Sequence, residues 1–235
     1  MDILNIVYED KEIIVVNKAV GVSSQADRGE SGSLMESVAE YLGRTPENIH
    51  IINRLDKPVG GLVLFAKDYR SAAALTKQIS GRTMKKSYYA VVVGETLQAG
   101  RLEDYMIKIE RLNISKIADK GNKNAKKAIL TYTLLQSIEE ENLSLLNIDL
   151  ETGRHHQIRL QLSHMGNPIW GDKKYNPAGK YSKSGSVQPL AKANGDVALF
   201  AYGLGFKHPK TGAYLNFKLA LPQREPFNKF STGEL

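Results

Sequence analysis

Cysteine is absent from the 235-residue chain. Disulfide cross-links, a thiolate nucleophile and cysteine-ligated zinc are therefore excluded. No apolar run approaches the roughly 20 residues that a membrane-crossing helix requires. The N-terminus, MDILNIVYEDKEIIVV, carries acids where a secretory signal would have a basic start and an apolar block. A cytoplasmic protein with no membrane partner is expected. Heptads, internal repeats, the phosphate-cradling G-x-x-x-x-G-K-[ST] loop and the zinc-protease H-E-x-x-H pattern are also missing. The glycines of YGLGF lie inside a strand pattern and do not complete G-x-G-x-x-G.

What is present bounds the class. The hydrophobic share of 42% and charged share of 24% are those of a globular protein with a sizeable core. The length suits a single domain over residues 1–235. The net charge is +7, which favours a polyanionic partner such as nucleic acid. The charge is uneven. Between residues 108 and 127 stand Lys108, Arg111, Lys116, Lys120, Lys123, Lys126 and Lys127, opposed only by Glu110 and Asp119.

The periodicity predicts an α+β fold on a largely antiparallel or mixed sheet. Residues 5–8 and 12–17 read as a hairpin around EDK. SLMESVAEYLG reads as a helix, with Ser33 and Glu36 forming a capping box and Gly43 ending it. Residues 61–66 read as a buried strand, and Asp68 as the cap of a helix presenting Ala72, Leu75 and Ile79. KKSYYAVVVGE alternates as a strand, with Tyr88, Ala90 and Val92 on one face. Further strands fall near residues 128–135 and 143–149. HHQIRLQLSHMG has helical spacing, with His155, Arg159 and Ser163 on one face. Residues 176–196, rich in Gly, Ser, Lys and Asn, read as a mobile excursion before two last strands, ALFAYGLGF and AYLNFKLAL, joined by HPKTG.

Three stretches are more polar than their surroundings require. In NRLDK, Arg54 and Asp56 form either a surface ion pair of little worth or a carboxylate held for chemistry beside a Pro-Gly-Gly segment. In the second reading the glycines admit a substrate backbone. Tyr88 is either core or, facing a cleft, a stacking or proton-transfer group. In ETGRHHQIRLQLSH, His155, His156 and His164 lack metal-ligand spacing, and adjacent histidines on a helix point different ways. No metal is expected. Arg154 and the N–H groups near Gly153 suit a phosphate at a helix start, and Arg159 suits burial against a carboxylate. Such groups, with no thiol or metal, leave a glycosidase-type carboxylate pair or a lone carboxylate nucleophile open.

Together these stretches resemble the RluA-type family of RNA pseudouridine synthases, over nearly the whole chain. EIIVVNKAVGV resembles its first segment and NRLDKPVGGLVLFAK its catalytic-aspartate motif, H-R-L-D-x-x-x-S-G-L. KKSYYAVVVGE resembles K-x-Y-x-A-x-V-x-G. TGRHHQIRLQLSHMGNPIWGDKKY resembles T-G-R-x-H-Q-I-R-x-H followed by G-x-P-I-x-G-D-x-x-Y, and ALFAYGLGFKHPKTG resembles L-H-A-x-x-L-x-F-x-H-P.

The resemblance implies the pseudouridine synthase fold, with a cleft across the sheet, and isomerisation of uridine in ribosomal or transfer RNA without a cofactor. By motif position Asp56 would be the essential carboxylate, attacking C1′ or abstracting the C2′ proton. Tyr88 would lie against the uracil, and Arg159 would pair with Asp56. Arg54 would fill the place of a flipped uridine. Asn53, Lys86, Arg154, His156, Gln157 and Lys173 would join Arg54 in holding RNA, with Lys174, Lys180, Lys183 and the 108–127 stretch as further candidates. The departures are Asn53, Gly60, Gln161 and Phe200, which stand where the family has His, Ser, His and His. Asn53 is expected to alter RNA grip or loop shape, and Gly60 to loosen the loop. No S4-type RNA-binding domain is expected, nor an obligate protein partner, and a monomer is expected. A non-catalytic RNA-binding relative is the main alternative, and a glycoside hydrolase a more distant one.

Overall fold

The computed structural model describes residues 4–26, 31–176 and 197–231. Lys180, Lys183 and all but the first residue of the 176–196 excursion lie outside the described residues. The fold is α+β, a large mixed sheet with few helices. In chain order come β1 (Ile6–Glu9), β2 (Ile13–Lys18), α1 (Leu34–Tyr41), β3 (His50–Ile51), β4 (Gly60–Ala66), α2 (Tyr69–Ser80) and β5 (Lys85–Val93). Then follow β6 (Ala99–Ile109), β7 (Ile114–Ile117), β8 (Lys126–Ile138), β9 (Leu143–Leu150), α3 (Gln157–Met165), β10 (Leu199–Lys207) and β11 (Tyr214–Lys218).

These elements gather into two compact units. The first comprises Met1–Lys86 and Ala201–Ala220. In it β1 pairs antiparallel with β2, β2 with β4, β3 with β4, and β10 with β11. Every residue of β4 is buried, which is why GGLVLFA reads as a continuous apolar run without alternation. Ile13 and Val15 of β2 and Leu62 and Leu64 of β4 share a core with Ala72 and Leu75 of α2 and Phe206 of β10. Both helix caps read from the sequence form. Ser33 and Glu36 make the reciprocal capping box, and Asp68 accepts from the Ser71 N–H at 2.9 Å. Each cap is worth about 1 kcal/mol.

The HPKTG turn is locked by a histidine. His208 Nδ1 accepts from the N–H groups of Thr211 and Lys210 at 3.1 and 3.3 Å. Its proton therefore sits on Nε2, which donates to Asp10 Oδ2 at 2.9 Å. Asp10 also accepts from the N–H groups of Glu12 and Ile13 in the β1–β2 turn, at 2.9 and 2.8 Å. Asp10, Glu12 and His208 have the donor types of a cation site. Their hydrogen bonds to one another, to backbone and to Lys210 account for the cluster without one.

The second unit comprises Ser87–Phe200 and Leu221–Leu235. Antiparallel pairing runs β5–β9, β9–β8, β8–β6 and β6–β7. Asn113 and Asn142, both left-handed at φ 47° and 54°, close the β6–β7 and β8–β9 turns. Asparagine is among the few residues that tolerate that conformation. The sequence reading did not assign β3, β6 or β7. Strand β6, AGRLEDYMIKI, has only Met106 buried, so it lacks the apolar alternation on which strand assignment rests. The basic 108–127 stretch becomes the end of β6, β7 and the start of β8. Among the described residues no helix is long and apolar enough to cross a membrane.

Candidate active site

Asp56 lies in the first unit, on the turn between β3 and β4. Six hydrogen bonds hold that turn. Ser24 Oγ donates to the Leu55 carbonyl at 2.7 Å and accepts the Leu55 N–H at 3.0 Å. Asn53 Nδ2 donates to the Leu62 carbonyl at 3.0 Å, while its Oδ1 accepts the Leu64 N–H at 2.8 Å. The Gly21 N–H donates to the Lys57 carbonyl at 2.9 Å, and the Val59 N–H to the Asp56 carbonyl at 2.9 Å. Leu55 and Val59, on either side, are buried, whereas Asp56 is half-buried and Arg54 exposed. The backbone that carries the carboxylate is thus fixed, and the Arg54 side chain is exposed.

Beneath the turn sits Lys18, only 1% exposed. Its ammonium donates to the carbonyls of Val22, Ala19 and Lys57 at 2.7, 2.9 and 3.3 Å. Burial pushes its pKa down from 10.5 to about 8, while the Asp56 charge pulls the other way. Lys18 therefore ties the 19–22 turn to the residue after Asp56 and supplies the carboxylate with a nearby positive charge. Sequence reasoning missed it, although a lysine ending the apolar strand IIVVNK is a signal of a paired or clasped amine.

The glycines of this motif have a different cause from the one inferred from the sequence. Gly61 has φ 121°, and a Cβ there would stand 2.2 Å from the Ala201 carbonyl oxygen. The close neighbour is β10 of the chain itself, not a substrate backbone. Gly60 is buried as the first residue of β4, so the exchange of Ser for Gly lies in a strand and not in a loosened loop. The Asn53 amide occupies the place of two ladder partners on β4, which makes it a clasp of the turn.

Tyr88 and Arg159 lie in the second unit. Tyr88 is on β5 opposite Ile148 of β9 and is 7% exposed. Strand β5 also holds the segment after α3, since the Val93 N–H donates to the Pro168 carbonyl and the Trp170 N–H to the Val91 carbonyl, both at 2.9 Å. That segment leads to Asp172. Arg159, from the first turns of α3, meets Asp172 side-on, with Nε to Oδ2 at 2.6 Å and Nη2 to Oδ1 at 2.8 Å. Their side chains are 4% and 0% exposed. The Tyr175 ring lies under the guanidinium, 5.4 Å from its centre.

Helix α3 starts later than its spacing suggests. Gln157 is the first helical residue, and His156 before it is left-handed at φ 53°. His155 and His156 are therefore not helical neighbours pointing apart. Their rings stack with centroids 3.7 Å apart. His156 Nδ1 meets the Tyr175 hydroxyl at 2.9 Å, and that hydroxyl accepts the Ser115 N–H of β7 at 2.8 Å. The Arg154 N–H, read as part of a phosphate cradle, donates to Gln157 Oε1 at 3.0 Å, and Arg154 Nε donates to the Lys127 carbonyl at 3.0 Å.

Gln157 is buried in a relay of amides. Thr152 Oγ1 donates to Gln157 Oε1 at 2.7 Å, Gln157 Nε2 to Gln161 Oε1 at 3.0 Å, and Gln161 Nε2 to Asp104 Oδ2 at 2.7 Å. Gln161, one of the departures from the family pattern, thereby connects α3 to β6. Lys173 is exposed, and Lys86 is half-buried near the start of β5.

Residues 12–164 match the protein family described as RNA pseudouridylate synthase. A ribosomal large subunit pseudouridine synthase C from Rickettsia bellii is 35% identical over 170 residues, covering 72% of this chain. The chain spans 56% of that relative's length. A tRNA pseudouridine synthase C from Haemophilus ducreyi is 30% identical over 243 residues, covering 97% of this chain and 96% of the relative. Among solved structures, human RNA pseudouridylate synthase domain containing 4 superposes with a TM-score of 0.74 at 24% identity, over 93% of this chain and 89% of that one. That likeness shows the fold.

Proposed function

The chain belongs to the RNA pseudouridylate synthase family, a family of isomerases, and from that premise we propose that it converts uridine to pseudouridine in ribosomal or transfer RNA. The N1–C1′ bond breaks, the uracil turns, and C5 bonds to C1′. The C5 hydrogen leaves as a proton and N1 gains one, so the change is an isomerisation needing no oxidant or reductant. Asp56 is the essential carboxylate, acting at C1′ or on the C2′ proton. Tyr88 lies against the uracil, and Arg159 supplies a buried positive charge. The target uridine leaves its stack to be reached, at an unstacking cost of a few kcal/mol. Arg54 takes the vacated place.

The observation that carries this reading is the NRLD turn. A half-buried carboxylate on a backbone pinned by Ser24, Asn53 and Lys18 is what a preorganised reacting group requires. RNA grip comes from exposed cations, Arg54 and Lys173 among them, and from the net charge of +7, so affinity falls steeply with salt. Catalysis uses no cofactor, and the protein acts as a cytoplasmic monomer. The test is tritium release from RNA carrying 5-tritiated uridine. Release by the wild type and none by Asp56→Ala is the expected result. No release by the wild type from any cellular RNA overturns the reading. Mapping pseudouridines in a deletion strain then identifies the RNA.

A further inference from the structure

Asp172 has no part in the reaction proposed above, yet four hydrogen bonds converge on its carboxylate. Its side chain is 0% exposed. Both carboxylate oxygens take an Arg159 N–H, and Oδ1 also accepts the N–H groups of Lys174 and Tyr175 at 3.0 and 3.3 Å. The carboxylate is therefore fixed by its own turn before it meets the arginine. The turn is anchored in three directions. The Pro168–Trp170 backbone is bonded to β5. Ser163 of α3 donates to the Tyr175 carbonyl at 2.6 Å. The Tyr175 hydroxyl takes the Ser115 N–H of β7.

A guanidinium is planar and carries five N–H donors. The side-on pair uses Nε and Nη2, which stops rotation about the last side-chain bonds. The Tyr175 ring beneath it limits tilt. The remaining donors are then held in a constant direction. In a buried site a fixed direction is what gives a charge its catalytic value, because no reorganisation is needed as charge develops.

We propose that Asp172 is a positioning residue for uridine isomerisation: it sets the orientation of Arg159, with Tyr175 as the floor, and its effect on the reaction passes through that arginine. The inference rests on the function proposed above. It predicts a loss in the chemical step, not in RNA binding. A reacting or stabilising group displaced by about 1 Å costs roughly 100-fold in rate.

The experiment uses the full chain and 5-tritiated, unmodified transcripts of ribosomal RNA and transfer RNA. Single-turnover tritium release at saturating RNA, and RNA affinity by filter binding, are measured for wild type, Asp172→Asn, Arg159→Lys and the double variant. Asp172→Asn is expected to slow release roughly 100-fold with affinity within about 3-fold. The double variant is expected to be no slower than the slower single variant, since both changes remove one interaction. Two results overturn the proposal: an Asp172→Asn rate within about 3-fold of wild type, or losses that multiply in the double variant. Should Asp172→Asn fail to fold, Asp172→Glu decides, because it keeps the charge and moves it by one methylene. A loss of about 10-fold or more supports positioning, and anything smaller overturns it. Absence of release by the wild type overturns the function, and this inference with it; release by the wild type with an unaffected variant overturns this inference alone.

Discussion

The Asp56 turn and the Arg159 pair solve one problem in opposite ways. Asp56 is positioned through its backbone. Its neighbours' carbonyl and N–H groups are taken by Ser24, Asn53 and Lys18, and the side chain itself stays half-buried. Arg159 is positioned through its side chain, by a buried acid and an aromatic ring. The difference teaches where mutational damage will fall. At Asp56 truncation leaves the bonds from Ser24, Asn53 and Lys18 to the turn's backbone in place. At Arg159 the same truncation strands a buried charge.

The largest contrast comes from the two alanine variants. Asp56→Ala should bring tritium release to background while leaving the thermal midpoint within a few degrees of wild type. A midpoint loss comparable to that of a core truncation would erase the comparison. Arg159→Ala should lower both, because the buried Asp172 carboxylate loses its guanidinium partner. Breaking a buried pair this way costs about 3–5 kcal/mol, measurable by denaturant titration, and full stability in this variant would show that the pair is not what holds the segment.

Lys18 sharpens the comparison by pH. Its pKa falls from 10.5 unfolded to about 8 in the fold, first through burial. Below pH 8 the amine is protonated in both states, so the fold carries the whole desolvation cost, about 3 kcal/mol. Between pH 8 and 10.5 the unfolded chain binds more protons, so this group makes stability rise with pH. Lys18→Met should remove that rise in unfolding curves taken across the window. An unchanged slope would show that Lys18 is not the titrating group. The smallest expected effect is Asn53→His. It loses the two-sided amide clasp on β4 and should cost about 1–2 kcal/mol of stability, with little change in single-turnover rate. RNA affinity should shift measurably. A large rate loss would place Asn53 in the chemistry.

Much of the scaffold was legible in the sequence because its signals are local. Ser33 with Glu36, Asp68 before α2, and the alternation of KKSYYAVVV depend on neighbours a few residues away, and each formed its element. The strand β6 was not legible, since Arg101, Glu103, Asp104 and Lys108 interrupt its apolar pattern and only Met106 is buried. The late start of α3 was not legible either. A histidine at φ 53° is held by stacking and by Tyr175, neither of which leaves a mark in the spacing of HHQIR.

The sequence by itself determined the α+β class, the capped helices, the polycationic charge and the family to which the chain belongs, because ordered motifs and periodicity are properties of the chain in line. Only the tertiary structure decided what the polar residues hold. It made Asp172 a partner of Arg159, set Lys18 under the Asp56 turn, turned Asn53 into a clasp on β4, and assigned Gly61 to the approach of Ala201. The reason is physical. A buried polar group must find a partner wherever the fold brings one, and a missing Cβ matters only where another backbone arrives.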